Sequence, residues 1–368
     1  MLFRKKIKYA LAGAFVFTLF YIFLAAVPLT NDFSFQPQWT RRIADAPRIG
    51  GGTGLPDGDA AAFMLGRTFG FFTPDGKIVR GEPEDGRFSA GGDAWCVYPQ
   101  DAAQTEVFHA DGSPEMTIGA AGFVHLTDYG AYLFHPGGGA VSRYDDSGRC
   151  IWTQEEAAPL TAFSDSPAGA IFGFGNGTLT AVDPEGRVLF SFCPGGSDHP
   201  VILGAALSAD GKLAACLSGI GPQRFLLIEI RGGQHKITAH RNFPQALRRQ
   251  AFTGFSKSGG QVFFETAGGL GVFDTQRMHL YEAPAGGRVL NAAEAGKGFF
   301  AVLAKSDADR HTLSVFETPA RQIASTEFRC RDAFLLSRGG ELYLGTDGSI
   351  SCIRLQIPDR KQNGRGQP

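Results

Sequence analysis

Eight histidines are scattered along the chain: His109, His125, His135, His199, His235, His240, His279 and His311. A metal centre or an acid–base pair needs such a ring beside a second ligand or an orienting carboxylate. No HExxH or other short ligand pairing occurs, so any such site would have to be assembled from distant segments. His109 and His135 border turns, where a solvated or capping histidine is the ordinary reading. Asp75, Asp111, Asp145, Asp146 and Asp183 recur one or two at a time. Calcium takes six or more converging oxygens, whereas aspartates spaced singly form turns, their carboxylates accepting nearby N–H groups. Ser306-Asp307-Ala308-Asp309 gathers its carboxylates more closely and reads as a solvated loop. Neither a GxSxG elbow nor a P-loop is present, and the glycine runs at 51–54 and 137–139 lack the strand–helix context of a phosphate cradle. The expectation is therefore no metal, no cofactor and no catalytic residue.

One segment departs from its surroundings. His240–Gln250, HRNFPQALRRQ, places Arg241, Arg248 and Arg249 around Phe243, Pro244 and Leu247. Arginine and aromatic side chains on a protruding connection are the composition that anchors protein partners. Arg241, Phe243, Leu247, Arg248 and Arg249 are thus the candidate partner-binding residues.

The elements that must carry these residues follow from a repeat. An apolar strand, an acidic or glycine turn and a second apolar strand recur at Phe71–Val79, Val107–Met116, Arg143–Trp152 and Ala181–Phe190. Looser copies lie at Ile228–Ile237, Val272–Tyr281 and Val315–Ala324. The step is roughly 36 to 47 residues, the period of a four-stranded propeller blade. A lone blade leaves both faces wet and a ring of blades buries them. Fifty Gly and twenty Pro between short apolar runs suit tight turns, and thirty-two Phe suit the space between stacked sheets. The predicted fold is all-β: a single β-propeller of four-stranded antiparallel blades, eight or alternatively seven, over 57–357. Blade boundaries are expected near 84, 120, 156, 198, 244, 286 and 330. The last repeat runs out after three strands, and Gln38–Ala44 is the natural donor of the fourth, which closes the ring and removes an open edge.

Arg4, Lys5, Lys6 and Lys8 precede an uncharged apolar run over 9–29, long enough for one membrane-spanning helix with the N-terminus inside. This predicts a basic cytoplasmic segment over 1–8, a signal-anchor over 9–29, a stalk and ring-closing segment over 30–56, and a polar tail over 358–368. The propeller is then placed outside the inner (cytoplasmic) membrane, on the periplasmic side. A removed signal peptide is the alternative. Six cysteines at wide spacing form no zinc pattern, and most sit in apolar strands as small buried thiols. Cys330 and Cys352, both in the last repeat region, are the pair to test for a disulfide. A formal charge of −1 without long single-sign runs gives no support for nucleic-acid binding.

Ala170–Phe192, AIFGFGNGTLTAVDPEGRVLFSF, resembles a pyrroloquinoline-quinone-type propeller repeat, with Leu179–Asp183 matching its strand-and-turn pattern. Ala131–Thr153 resembles it too, with Trp152 in the closing aromatic position, as does Glu341–Leu355; the repeats over 200–328 look more like WD-type ones. Enzymes of that family carry adjacent cysteines and a calcium site, and this chain has neither pattern. The resemblance therefore implies the cofactor-free scaffold branch, similar in fold to the propeller lipoprotein of outer-membrane assembly. The expected function is a membrane-anchored protein-interaction scaffold, with an envelope or membrane protein as partner. A propeller enzyme or small-ligand sensor using the central channel is the alternative.

Overall fold

The computed structural model describes residues 34–46, 60–99 and 102–356. The expected basic segment over 1–8, the span over 9–29 and the tail over 358–368 lie outside the described residues. Among the described residues no helix is long and apolar enough to cross a membrane. Contacts divide the chain into a large unit, Gln36–Arg354, and a second unit made of the two chain ends.

The large unit is built of eight antiparallel sheets, seven of four strands and one of three among the described residues. Numbered along the chain, the first blade is Ala61–Leu65, Thr68–Phe72 and Ile78–Pro83. The second is Arg87–Gly91, Ala94–Tyr98, Thr105–His109 and Pro114–Ile118. The third is Phe123–Thr127, Gly130–Phe134, Ala140–Tyr144 and Cys150–Glu155; the fourth is Leu160–Ser166, Gly169–Phe174, Leu179–Val182 and Val188–Phe192. The fifth, with the longest strands, is His199–Leu207, Leu213–Ile220, Gln223–Arg231 and Gln234–Phe243. The sixth is Thr253–Phe255, Gln261–Thr266, Gly269–Asp274 and His279–Ala283; the seventh is Arg288–Glu294, Phe299–Lys305, Arg310–Glu317 and Arg321–Arg329. The eighth joins Ala333–Arg338, Glu341–Thr346 and Ser349–Gln356 to Ser34–Arg42 as its outer strand. The ring-closing strand thus starts four residues earlier than Gln38, and the chain leaves it at Ile43, which begins a 3-10 turn and donates its N–H to Gly348 O.

Successive sheets stack face to face and the sequence closes on itself. Phe69 meets Trp95 at 5.3 Å between the first and second blades. The Tyr98 hydroxyl joins the second to Val124 of the third, and Tyr132 meets Phe163 at 5.0 Å between the third and fourth. Thr161 donates to Ile202 O of the fifth blade. Phe225 stacks on Phe264 at 4.2 Å, and Phe263 meets Phe300 at a tilt at 4.9 Å. Asn291 donates to Leu335 O of the eighth blade, and Phe334 returns to Phe63 of the first at 5.9 Å. Each buried Phe contributes about 2–3 kcal/mol by leaving water, so phenylalanine strengthens several of these seams, while Ala, Ile and Leu fill the one between the fourth and fifth blades.

The first strand of each blade lies innermost. In the first blade the order differs. Arg338, at the end of one inner strand, donates to Ala60 O, and Gly66 lies against Asp332 at that strand's beginning. Ala61–Leu65 therefore runs opposite to the neighbouring inner strands and corresponds to the second strand of the other blades. The end of the ring where inner strands begin is called the upper face here, and the opposite end the lower face.

An interlock recurs on the outer strands. Trp152 donates its indole N–H to Pro184 O of the next blade, and Trp39 does the same to Pro74 O. Gly186 and Gly76, at φ +83° and +89°, sit under these rings, where a Cβ would lie 2.5 and 2.7 Å from indole carbons. Only glycine meets both demands. The cross-strand register puts Arg80, Met116, Phe190 and Tyr281 at the position of Trp152 in other blades. Arg80 fills it by stacking over Trp95 at 4.6 Å.

Candidate functional site

The expected partner-binding segment joins the outer strand of the fifth blade to the inner strand of the sixth, and three of its candidate residues, Phe243, Leu247 and Arg249, are partly buried against the blades. Arg249 forms a two-pronged pair with Glu265, at 2.7 and 2.6 Å. Glu265 is 1% exposed and also accepts the Val289 N–H at 2.9 Å. Buried Gln223 clamps Leu247, accepting its N–H and donating to its carbonyl, both at 3.1 Å. Phe243 packs 5.8 Å from Phe264, and Leu247 rests on the same core. Arg241 is exposed but donates to His240 O and to Met278 O of the sixth blade. Arg248 is exposed and, among the described residues, makes no hydrogen bond or ion pair. The segment is thus a strap between two blades. Glu265, which sits in an unremarkable strand, gave no sequence signal of this role.

Beside the strap, a cavity of about 240 Å³ opens at the upper mouth of the ring. Ala162, Phe163, Phe252 and Leu290 wall it, and exposed Gln250 and Arg288 border it. Toward the lower end of the same inner strands, Asp165 accepts the Thr127 hydroxyl at 2.5 Å. Burial, opposed by this bond, raises the Asp165 pKa to about 6.

The aspartates expected in turns sit there. Asp111, Asp145 and Asp183 accept N–H groups two residues on, and Asp75 pairs with Thr73. Among the described residues no group of three or more His, Cys, Asp or Glu is placed to hold a metal ion. All six cysteines are free, Cys150 and Cys193 exposed. Cys330 and Cys352 are not joined: Cys330 lies 3.4 Å from His311 Nδ1, and Cys352 donates to Glu341. Burial pushes the Cys330 thiol to about 11 and holds His311 low, so the pair stays neutral and the sulfur is a poor nucleophile. Asp307 and Asp309 form a turn whose Asp309 carbonyl accepts Cys330 N–H.

A different place gathers unneutralised charge and exposed apolar surface. On the lower face, a groove of about 370 Å³ runs between the second and third blades. Its walls are the turn after Gly91, Glu115 and Met116, the turn Asp128–Tyr129, Asp145, Asp146 and Ile151. The Thr127 hydroxyl accepts N–H groups of Tyr129 and Gly130 at 3.1 and 3.2 Å, shaping the turn locally. Arg143 pins it from below, donating to Tyr129 O and to Pro184 O. Tyr129 and Ile151 are left 44% and 43% exposed. Asp145 is engaged by Ser147 and Arg149, and Asp128 accepts Gly92 N–H. Asp93 and Asp146 face solvent. His109 Nδ1 lies 3.7 Å from Asp93 and 3.9 Å from Glu115, too far to hydrogen-bond either. Glu115 Oε2 is buried with no hydrogen-bond partner. Burial raises the Glu115 pKa, Asp93 and Asp146 adding to it and His109 opposing. The sequence placed His109 at a turn; that two acids from a different turn and strand flank it is a product of the fold.

Similarity to known proteins agrees with this architecture. A protein of Treponema pallidum (strain Nichols) is 35% identical over 359 residues, covering 95% of this chain and 94% of its own. The crystal structure of BamB from Moraxella catarrhalis superposes with a TM-score of 0.61 at 12% identity, covering 87% of this chain and all of that one. A family model described as beta-propeller protein matches residues 1–358, and this chain belongs to that family.

Proposed function

We propose that this chain is a protein-binding scaffold, held at the inner membrane by one N-terminal span with its propeller on the periplasmic side and serving envelope assembly or maintenance. The observation that carries the binding role is the lower-face groove, where Tyr129 on its turn and Ile151 on the outer strand of the third blade stay exposed beside a cavity. Exposed apolar side chains grouped at a polar-rimmed hollow are the pattern of interaction sites. The fold likeness to BamB supports the architecture alone. The apolar run over 9–29 and the preceding basic residues support the anchor. The pyrroloquinoline-quinone type of repeat is supported by the Trp152–Gly186 interlock.

Affinity capture of the membrane-extracted protein tests the role. The same envelope protein should be recovered with the natural chain and lost with Tyr129→Ser/Ile151→Ser. Retention of it by that variant ends the assignment of the binding role to this face. Protease added to intact spheroplasts should remove the propeller; its protection would end the proposed placement. The cavity beside Arg288 favours a second reading, a small-ligand sensor in the channel. A tightly held small molecule released on denaturation, with no protein recovered, would select that reading.

A further inference from the structure

From the scaffold reading and the charges around the groove, we infer that the hollow between the second and third blades receives a basic, partly apolar peptide segment. A lysine or arginine enters beside Glu115, and an apolar neighbour rests on Tyr129 and Ile151. Five carboxylates line or border this hollow: Asp93, Glu115, Asp128, Asp145 and Asp146. Two arginines stand against them, Arg143 in the lining and Arg149 on Asp145, too few to balance the five. Arg143 donates to two main-chain carbonyls, and Arg149 is held by Asp145. His109 reaches neither Asp93 nor Glu115 within hydrogen-bond distance. The groove is therefore left with excess negative charge around apolar surface.

The Glu115 oxygen sharpens the match. An acceptor buried without a donor is costly, and a donor brought by a partner removes that cost. An ammonium or guanidinium supplies the donor and the countercharge together. The raised affinity of Glu115 for a proton is the same demand met from solvent. A cation arriving there displaces the proton, so binding should release protons as the buffer approaches the Glu115 titration. Charge alone gives no grip on direction or register, and the exposed Tyr129 and Ile151 side chains supply the apolar anchor.

The test uses the full chain in detergent and three fluorescein-labelled decapeptides: alternating lysine and leucine, alternating glutamate and leucine, and alternating lysine and serine. Anisotropy titrations should show the lysine–leucine peptide bound most tightly, with affinity falling as salt rises. Asp93→Asn/Asp146→Asn should weaken it tenfold or more while leaving the melting temperature unchanged, since both residues face solvent. Tyr129→Ser should weaken lysine–leucine binding and leave the lysine–serine peptide unaffected. Equal binding of the glutamate–leucine peptide, or no effect of the double variant, overturns the inference. So does binding of calcium alone that the double variant abolishes, or self-association lost in that variant without peptide binding. Loss of the captured envelope protein in Tyr129→Ser/Ile151→Ser with no charge dependence leaves the scaffold reading standing and this inference overturned.

Discussion

The strap between the fifth and sixth blades and the groove between the second and third hold similar ingredients in different states. Each gathers charged side chains, an aromatic and an aliphatic at the end of a blade. In the strap, Arg249 lies against Glu265, Leu247 against Gln223 and Phe243 against Phe264. In the groove, Asp93, Asp146, Tyr129 and Ile151 face outward, and one Glu115 oxygen has no donor. A recognition surface is what remains after the fold has satisfied itself. Composition alone cannot separate the two regions, because arginine and phenylalanine serve either end.

Breaking the strap should have the largest effect. Glu265→Ala leaves the buried Val289 N–H without its acceptor and the part-exposed Arg249 guanidinium without its partner, so a loss of about 2–4 kcal/mol is expected. A chemical denaturation curve reads it; a change under about 1 kcal/mol would show that the strap is loosely held and reopen it as a binding surface.

The next effect lies under the groove and depends on pH. Asp165 shares the Thr127 hydroxyl that shapes the Tyr129 turn. Its folded pKa of about 6 stands above the ordinary aspartate value of 3.8. Between these values the folded state holds more of the proton, so stability falls as pH rises from about 4 to 6 and stays reduced above. The full linkage is about 3 kcal/mol as an upper bound. Asp165→Asn should be more stable than the natural chain at pH 7.5, by up to that amount, and equal to it at pH 3.5. Matching curves at both pH values would show that this carboxyl is not buried as described.

The smallest effects should fall on the exposed groups. Arg248→Ala in the strap and Ile151→Ser in the groove should each change stability by about 0.5 kcal/mol or less. They should differ in partner capture: intact for the first, reduced for the second. Equal capture by both would erase the distinction between the two regions.

Much of the architecture was legible because its cause is local. Apolar strands separated by Asp, Pro and Gly turns at a steady period dictate hairpins, and hairpins with two apolar faces must stack. The boundaries expected near 84, 120, 156, 198, 244, 286 and 330 fall in or beside the connections between the observed sheets. The outer strand supplied from near the N-terminus was likewise readable, since the last repeat stopped one strand short. The reversed direction of Ala61–Leu65 was not, because alternation looks the same in either direction. Nor was the partner of Arg249, since Glu265 is remote from it in strand context and only blade packing makes them meet.

The chain by itself determined that it forms a ring of sheets with glycine-rich turns, since period, turn chemistry and strand composition act over a few residues. The packing of one blade on the next decided which charges are neutralised and which stay open to a partner. Electrostatic and hydrogen-bond partners are chosen by distance in space, and that distance exists only once the ring has closed.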